Sequence, residues 1–175
     1  MADRVTFSGE NRTLIEIFDY YEDTEVALRA YFLGPVAPSK FPLFSLADLR
    51  LELHKRLAVH NEASALQILA ALEAAFRVDY LKRVYGRKKD CLSKALREIH
   101  KVKGPRASLE HEIFEAWADN TTIGPLVIAE LKAAFKYRHW LAHGQYWTPK
   151  LGRKYDYNRI ATLAESVFNG FPFVD

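Results

Sequence analysis

One cysteine, Cys91, stands among the 175 residues. A lone cysteine excludes an internal disulfide and a cysteine-rich zinc site, and it suits a reducing compartment. Long apolar runs are missing too. Charged residues interrupt each one well short of the roughly 20 residues a membrane-spanning helix needs. The opening residues, MADRVTFSGE, have no apolar centre and carry acids early, unlike a secretory signal. The expectation is a cytoplasmic protein with no membrane segment. Also lacking are a glycine-rich phosphate loop, a GxSxG elbow and a dinucleotide fingerprint, so none of those chemistries has a sequence basis. No segment sustains the alternation of a half-buried strand between turn signals.

What the chain does have is helical periodicity. Leu14, Ile17, Phe18, Tyr21, Val26, Leu28 and Phe32 predict a first helix from about Asn11 to Leu33, stopped by Gly34-Pro35. Ser45 with Asp48 predicts the cap of a second helix, through Leu57. Asn61 is then the expected cap of a long third one, Glu62 to about Tyr85. Lys88 to Val102 forms a further helix with Cys91, Leu92, Leu96 and Ile99 facing inward, Cys91 as a small buried hydrophobe. A short acidic helix runs from Ser108 through Trp117, and Asp119 to Thr122 reads as a loop. Pro125 opens a helix that Gly144 closes, and Asp156 caps the last, to about Phe168. The expected architecture is an all-α, single-domain bundle of about five to seven helices. Residues 1–44 would form an N-terminal helix and proline-containing connector packed on a bundle of residues 45–175.

The formal net charge of +3 is unevenly spread. Residues 1–76 hold seven bases against eleven acids, a net −4. Residues 77–106 hold eleven against three, a net +8, and residues 131–159 seven against one, a net +6. Such runs are usually solvated helix faces. Two of them converging would also make a phosphate-tracking surface.

The most informative stretch is Lys136-Tyr137-Arg138-His139-Trp140-Leu141-Ala142-His143-Gly144. Arginine offers phosphate a fixed fork of donors, and histidine exchanges protons near neutral pH. A helix turns by about 100° per residue, so His139 and His143 share a face while Arg138 lies about 140° from His143. Three arrangements bring them together: a helix that ends near Gly144, a wrapped arginine side chain, or a second copy across a symmetry axis. The purely structural reading is an arginine favoured by a helix C-terminus, a histidine capping the last carbonyls, and Tyr137, Trp140 and Leu141 in a core or interface. His139 and His143 also have the spacing of a helical zinc pair. The glutamate of metalloproteases is missing, because Trp140 follows His139. A third ligand would have to come from Glu73, His111 or His54. His111-Glu112 reads as surface of the acidic helix. No metal and no cofactor are expected.

Arg138-His139-Trp140-Leu141-Ala142-His143 resembles the signature of the HEPN superfamily: arginine, then Asn, Asp or His, then three residues, then His. That superfamily includes ribonuclease toxins, the cleaving domains of type VI CRISPR effectors, and inactive RNA- or nucleotide-binding versions. The resemblance implies metal-independent RNA cleavage by a homodimer, with RNA as substrate and an antitoxin protein as a further partner. It implies that Arg138 binds the scissile phosphate. His143 is then the base or acid for attack by the ribose 2′-hydroxyl, leaving a 2′,3′-cyclic phosphate, and His139 orients the pair or supplies the second proton-transfer group. It also implies a polar residue from an earlier helix near the motif, with Glu73 first and Arg77 and Asp79 next. Tyr137 and Tyr146 are supporting or substrate-binding candidates. Some members of a nucleotidyltransferase-paired subgroup carry a Tyr two residues after the His, whereas here Tyr146 lies three after it. A non-catalytic HEPN-like binding module is the alternative.

Overall fold

The computed structural model describes residues 4–35 and 38–174. Six α-helices order them: α1 (Leu14–Leu33), α2 (Leu46–Tyr85), α3 (Cys91–Lys103), α4 (Phe114–Asn120), α5 (Pro125–Ala142) and α6 (Tyr157–Gly170). No strand occurs among the described residues, so the all-α, single-domain bundle stands.

Side chains set the helix starts. Thr13 Oγ1 accepts from the Glu16 amide, and Glu16 returns the bond to the Thr13 amide at 2.7 Å. Ser45 and Asp48 repeat this reciprocal cap on α2. Each pair satisfies donors that the first turn would otherwise leave open.

The two helices expected on either side of Asn61 are one helix of 40 residues, roughly 60 Å long. No glycine or proline lies between Leu46 and Tyr85 to stop it. Asn61 does not cap. Its side chain instead accepts a 2.8 Å hydrogen bond from the Tyr21 hydroxyl on α1, and an asparagine inside a helix costs under about 1 kcal/mol. The Tyr21 ring is stacked between Tyr157 of α6 and His60 of α2, at centroid distances of 3.5 and 4.7 Å.

α2 serves two cores. Its first half packs Leu49 and Leu53 against Phe32 of α1 in a small cluster. Its second half supplies Ile68, Leu69, Leu72, Phe76 and Tyr80 to the main core, where Ile17 of α1 also lies. Phe76 is the hub there. Phe114, Trp117, Phe171 and Phe173 meet it edge-on at 4.9–6.1 Å, the arrangement that ring quadrupoles favour.

Two expectations about α3 and α4 need correcting. Asp90 is the cap of α3, accepting from the Ser93 amide at 2.9 Å. The helix therefore starts three residues later than expected, and Cys91 falls in its first turn, exposed rather than buried. The acidic segment begins as a π-helical turn over Leu109–Ile113, with the Ile113 amide bonded to the Ser108 carbonyl at 3.0 Å. α4 then continues through Asp119 and Asn120, which the sequence suggested were loop. The Asn120 side chain and the Thr121 hydroxyl bond back to the carbonyls of Ala116 and Trp117 and close that helix.

Candidate functional site

α5 carries the arginine–histidine motif and runs antiparallel to α2, because Arg138 meets Glu73 while Gln145 meets Glu62, eleven residues earlier. Its end is closely determined. The Gly144 amide bonds to the Leu141 carbonyl at 3.3 Å and the Gln145 amide to the Trp140 carbonyl at 3.1 Å. These are the two bonds of a Schellman cap. Gly144 takes the left-handed conformation that this cap requires, at φ +78°. Gln145 follows at φ +58°, and its side chain is held by a 2.9 Å bond to Glu62. His143 is thereby the C-cap of the helix, just after Ala142, with φ −97° and ψ 19°. Gly144→Ala puts a side chain on a left-handed residue and should cost about 1 kcal/mol. A thermal melt should register the loss, and an unchanged Tm would mean that the cap does not set the helix end.

His139 and His143 are both solvent-exposed, with ring centroids 4.1 Å apart and planes at 51°. Arg138 faces the other way. Its Nη2 lies 3.0 Å from Glu73 Oε2, with the arginine side chain 36% exposed and the glutamate 22%. Glu73 also accepts from Arg77 Nε at 2.8 Å, and Arg77 donates to the Ala107 carbonyl at 3.2 Å. Glu73 is thus a clamp between two guanidiniums, and Arg138 Nε is buried beside it with no hydrogen-bond partner among the described residues. Asp79, six residues after Glu73, belongs to a different network with Arg83. No hydrogen bond or ion pair joins Arg138 to either imidazole among the described residues. One chain therefore brings Glu73, Arg77 and Arg138 together, and His139 and His143 together, on different sides of the same helix.

The aromatic candidates separate. Tyr137 is buried, stacked between Trp140 and Tyr155 at 5.8 and 5.6 Å. Burial pushes its hydroxyl up to about 12. Tyr146 is 84% exposed, edge-on to Trp147 at 4.6 Å.

The histidine face opens onto a cleft of about 370 Å³ lined by Glu110, Lys136, His139, Trp147, Pro149, Lys150 and Leu151. Trp147 is anchored by its carbonyl, which accepts from Trp140 Nε1 at 2.6 Å. Sequence reasoning did not reach this set, because its members come from the π-helical turn, α5 and the following loop and form no local pattern. The interleaving of Lys136, Trp147 and Lys150 within the basic stretch was the available signal. His139 and His143 supply two imidazoles, but no group of three or more His, Cys, Asp or Glu arranged to hold a metal occurs among the described residues. His54 lies on α2 and His111 on the π-helical turn. Among the same residues, no helix is long and apolar enough to cross a membrane. No protein-family model, curated protein or solved structure matches this chain.

Proposed function

We propose that this chain is a HEPN-type, metal-independent endoribonuclease that acts as a homodimer, in a toxin–antitoxin or defence setting. The observation that carries the reading is the exposed His139–His143 pair at a fixed helix end, one residue from a guanidinium held by Glu73. In the reaction, one imidazole takes the proton of the ribose 2′-hydroxyl as its oxygen attacks phosphorus. The other protonates the departing 5′-oxygen, leaving a 2′,3′-cyclic phosphate and a 5′-hydroxyl. A guanidinium bound to the non-bridging oxygens stabilises the charge that builds there. Since Arg138 and His143 of one chain face apart, the arginine of a second copy supplies that group. The basic stretches draw RNA to the same region.

Complementation tests this arrangement. Arg138→Ala and His143→Ala should each be inactive alone. Mixed under conditions that exchange subunits, they should regain up to about a quarter of wild-type activity from random pairing into dimers. A mixture as inactive as its components would show that the site is not shared.

A second reading has its own support. The Arg138–Glu73 contact ties up the guanidinium as a structural group would. In that case the chain is a non-catalytic module that binds RNA and releases no cyclic-phosphate ends.

A further inference from the structure

We propose that the cleft beside the histidine pair is a subsite for one unpaired nucleotide whose base carries an exocyclic amino group. Trp147 stacks the base, Lys136 and Lys150 hold the flanking phosphates, and Glu110 accepts from the amino group. The assignment rests on the ribonuclease reading only in taking His139 and His143 as the neighbouring reaction centre.

Four rings form a strip across the helix end and the loop after it. Centroids are 4.1 Å apart for His143 and His139, 6.0 Å for His139 and Trp147, and 4.6 Å for Trp147 and Tyr146. Successive planes are tilted by 51°, 55° and 70°, so no two of the rings are stacked face to face. Those open π-faces are what a single strand stacks on, whereas a duplex hides its base faces in its own stack. Trp147 is half-buried and pinned through its carbonyl, so the platform is preformed.

Charge completes the subsite. Lys136 and Lys150 line the cleft with the rings and are both exposed. Glu110 lines it too. Its neighbours Glu112 and Glu115 are engaged by Lys103 and Lys132, whereas Glu110 has no ion pair among the described residues. A carboxylate in a basic cleft weakens binding to phosphate alone, and it gains a partner when a base presents N–H donors. Cytosine, adenine and guanine have an exocyclic amine and uracil has none.

Uncleavable strands separate this subsite from the chemistry. Deoxy-oligomers lack the 2′-hydroxyl that attacks phosphorus, yet carry the same phosphates and stacking faces. Fluorescence anisotropy should show a twelve-residue deoxycytidylate binding wild-type protein at least about fivefold tighter than the matching deoxyuridylate. Glu110→Ala should bring that ratio to one. Trp147→Ala should weaken deoxycytidylate binding by about 5- to 150-fold, and Trp147→Phe should restore most of it. Replacing Lys136 and Lys150 by Gln together should reduce the slope of log affinity against log salt by about 1.4. Equal binding of the two strands, or a preference that survives Glu110→Ala, overturns the amino-selective subsite. Affinity indifferent to Trp147→Ala overturns stacking. Binding with this pattern alongside no RNA cleavage would sink the ribonuclease reading and leave the subsite standing. RNA cleavage without the pattern would do the reverse.

Discussion

His143→Ala should reduce RNA cleavage by about 10²–10⁴-fold, the range for losing one general acid–base group. The side chain is exposed at the C-terminus of α5, and the Schellman bonds beneath it use backbone atoms of other residues. Truncation should therefore leave the fold and melting temperature nearly unchanged. A drop in rate with no drop in stability separates catalysis from structure at this position. His139→Ala should produce a loss of similar order, because the proposed reaction makes its imidazole the other proton-transfer group. The assay is release of 2′,3′-cyclic-phosphate ends from single-stranded RNA in EDTA. Activity that EDTA abolishes, or that survives His143→Ala intact, would count decisively against the assignment.

The largest expected loss of stability lies elsewhere, at Asp79. Its carboxylate is 1% exposed and is bonded by Arg83 Nε at 2.8 Å and by the Val174 amide at 2.8 Å. The arginine side chain is 7% exposed and serves several groups at once. Its Nη1 reaches Asp90 and Ser93 at 3.3 Å, its Nη2 donates to the Pro172 carbonyl at 2.6 Å, and its guanidinium lies over Trp117. Asp79→Ala strands a buried cation and frees the segment after α6. The expected cost is about 3–5 kcal/mol, a large part of the roughly 5–15 kcal/mol that holds a domain together. In a chain of this size that lowers Tm by about 6–20 °C. The double change Asp79→Leu with Arg83→Met should be milder than the sum of the single changes, since it removes both charges together. Strict additivity in denaturant melts would mean that the two side chains do not act as a pair.

Much of the helix order was legible because its signals are local. Ser45 precedes its helix by one residue, Pro125 occupies a first turn, and Asp156 caps α6 through the Arg159 amide at 3.0 Å, whereas α1 starts at Leu14 rather than at about Asn11. Glu73 came from the resemblance rather than from a local signal, and α2 sets its carboxylate 3.0 Å from Arg138 Nη2. Asn61 misled because a cap residue signals a boundary only where the chain also breaks, and Tyr21 gives it a different partner. Cys91 misled because apolar spacing leaves the first turn ambiguous until the cap is known, and Asp90 decides it. The cleft was out of reach: Glu110, on the π-helical turn, meets Lys136 only because α4, which continues that turn, packs against α5. The direction of Arg138 was half legible. Helix geometry separates it from His143, but only the antiparallel α2 supplies a reason for it to turn inward.

The unbroken length of α2 has a consequence for how the molecule opens. Covalently it is one rod, but its two halves are secured very differently: Phe32, Leu49 and Leu53 hold the first half, while the main core surrounds the second. Hydrogen-exchange protection should therefore grade along a single helix, low from Leu46 and rising toward Phe76. Glu73 and the guanidiniums it clamps sit at the slow-exchanging end. Opening should therefore begin around Phe32, Leu49 and Leu53, and stop where Ile17 and Tyr21 tie α1 to the main core and to α6.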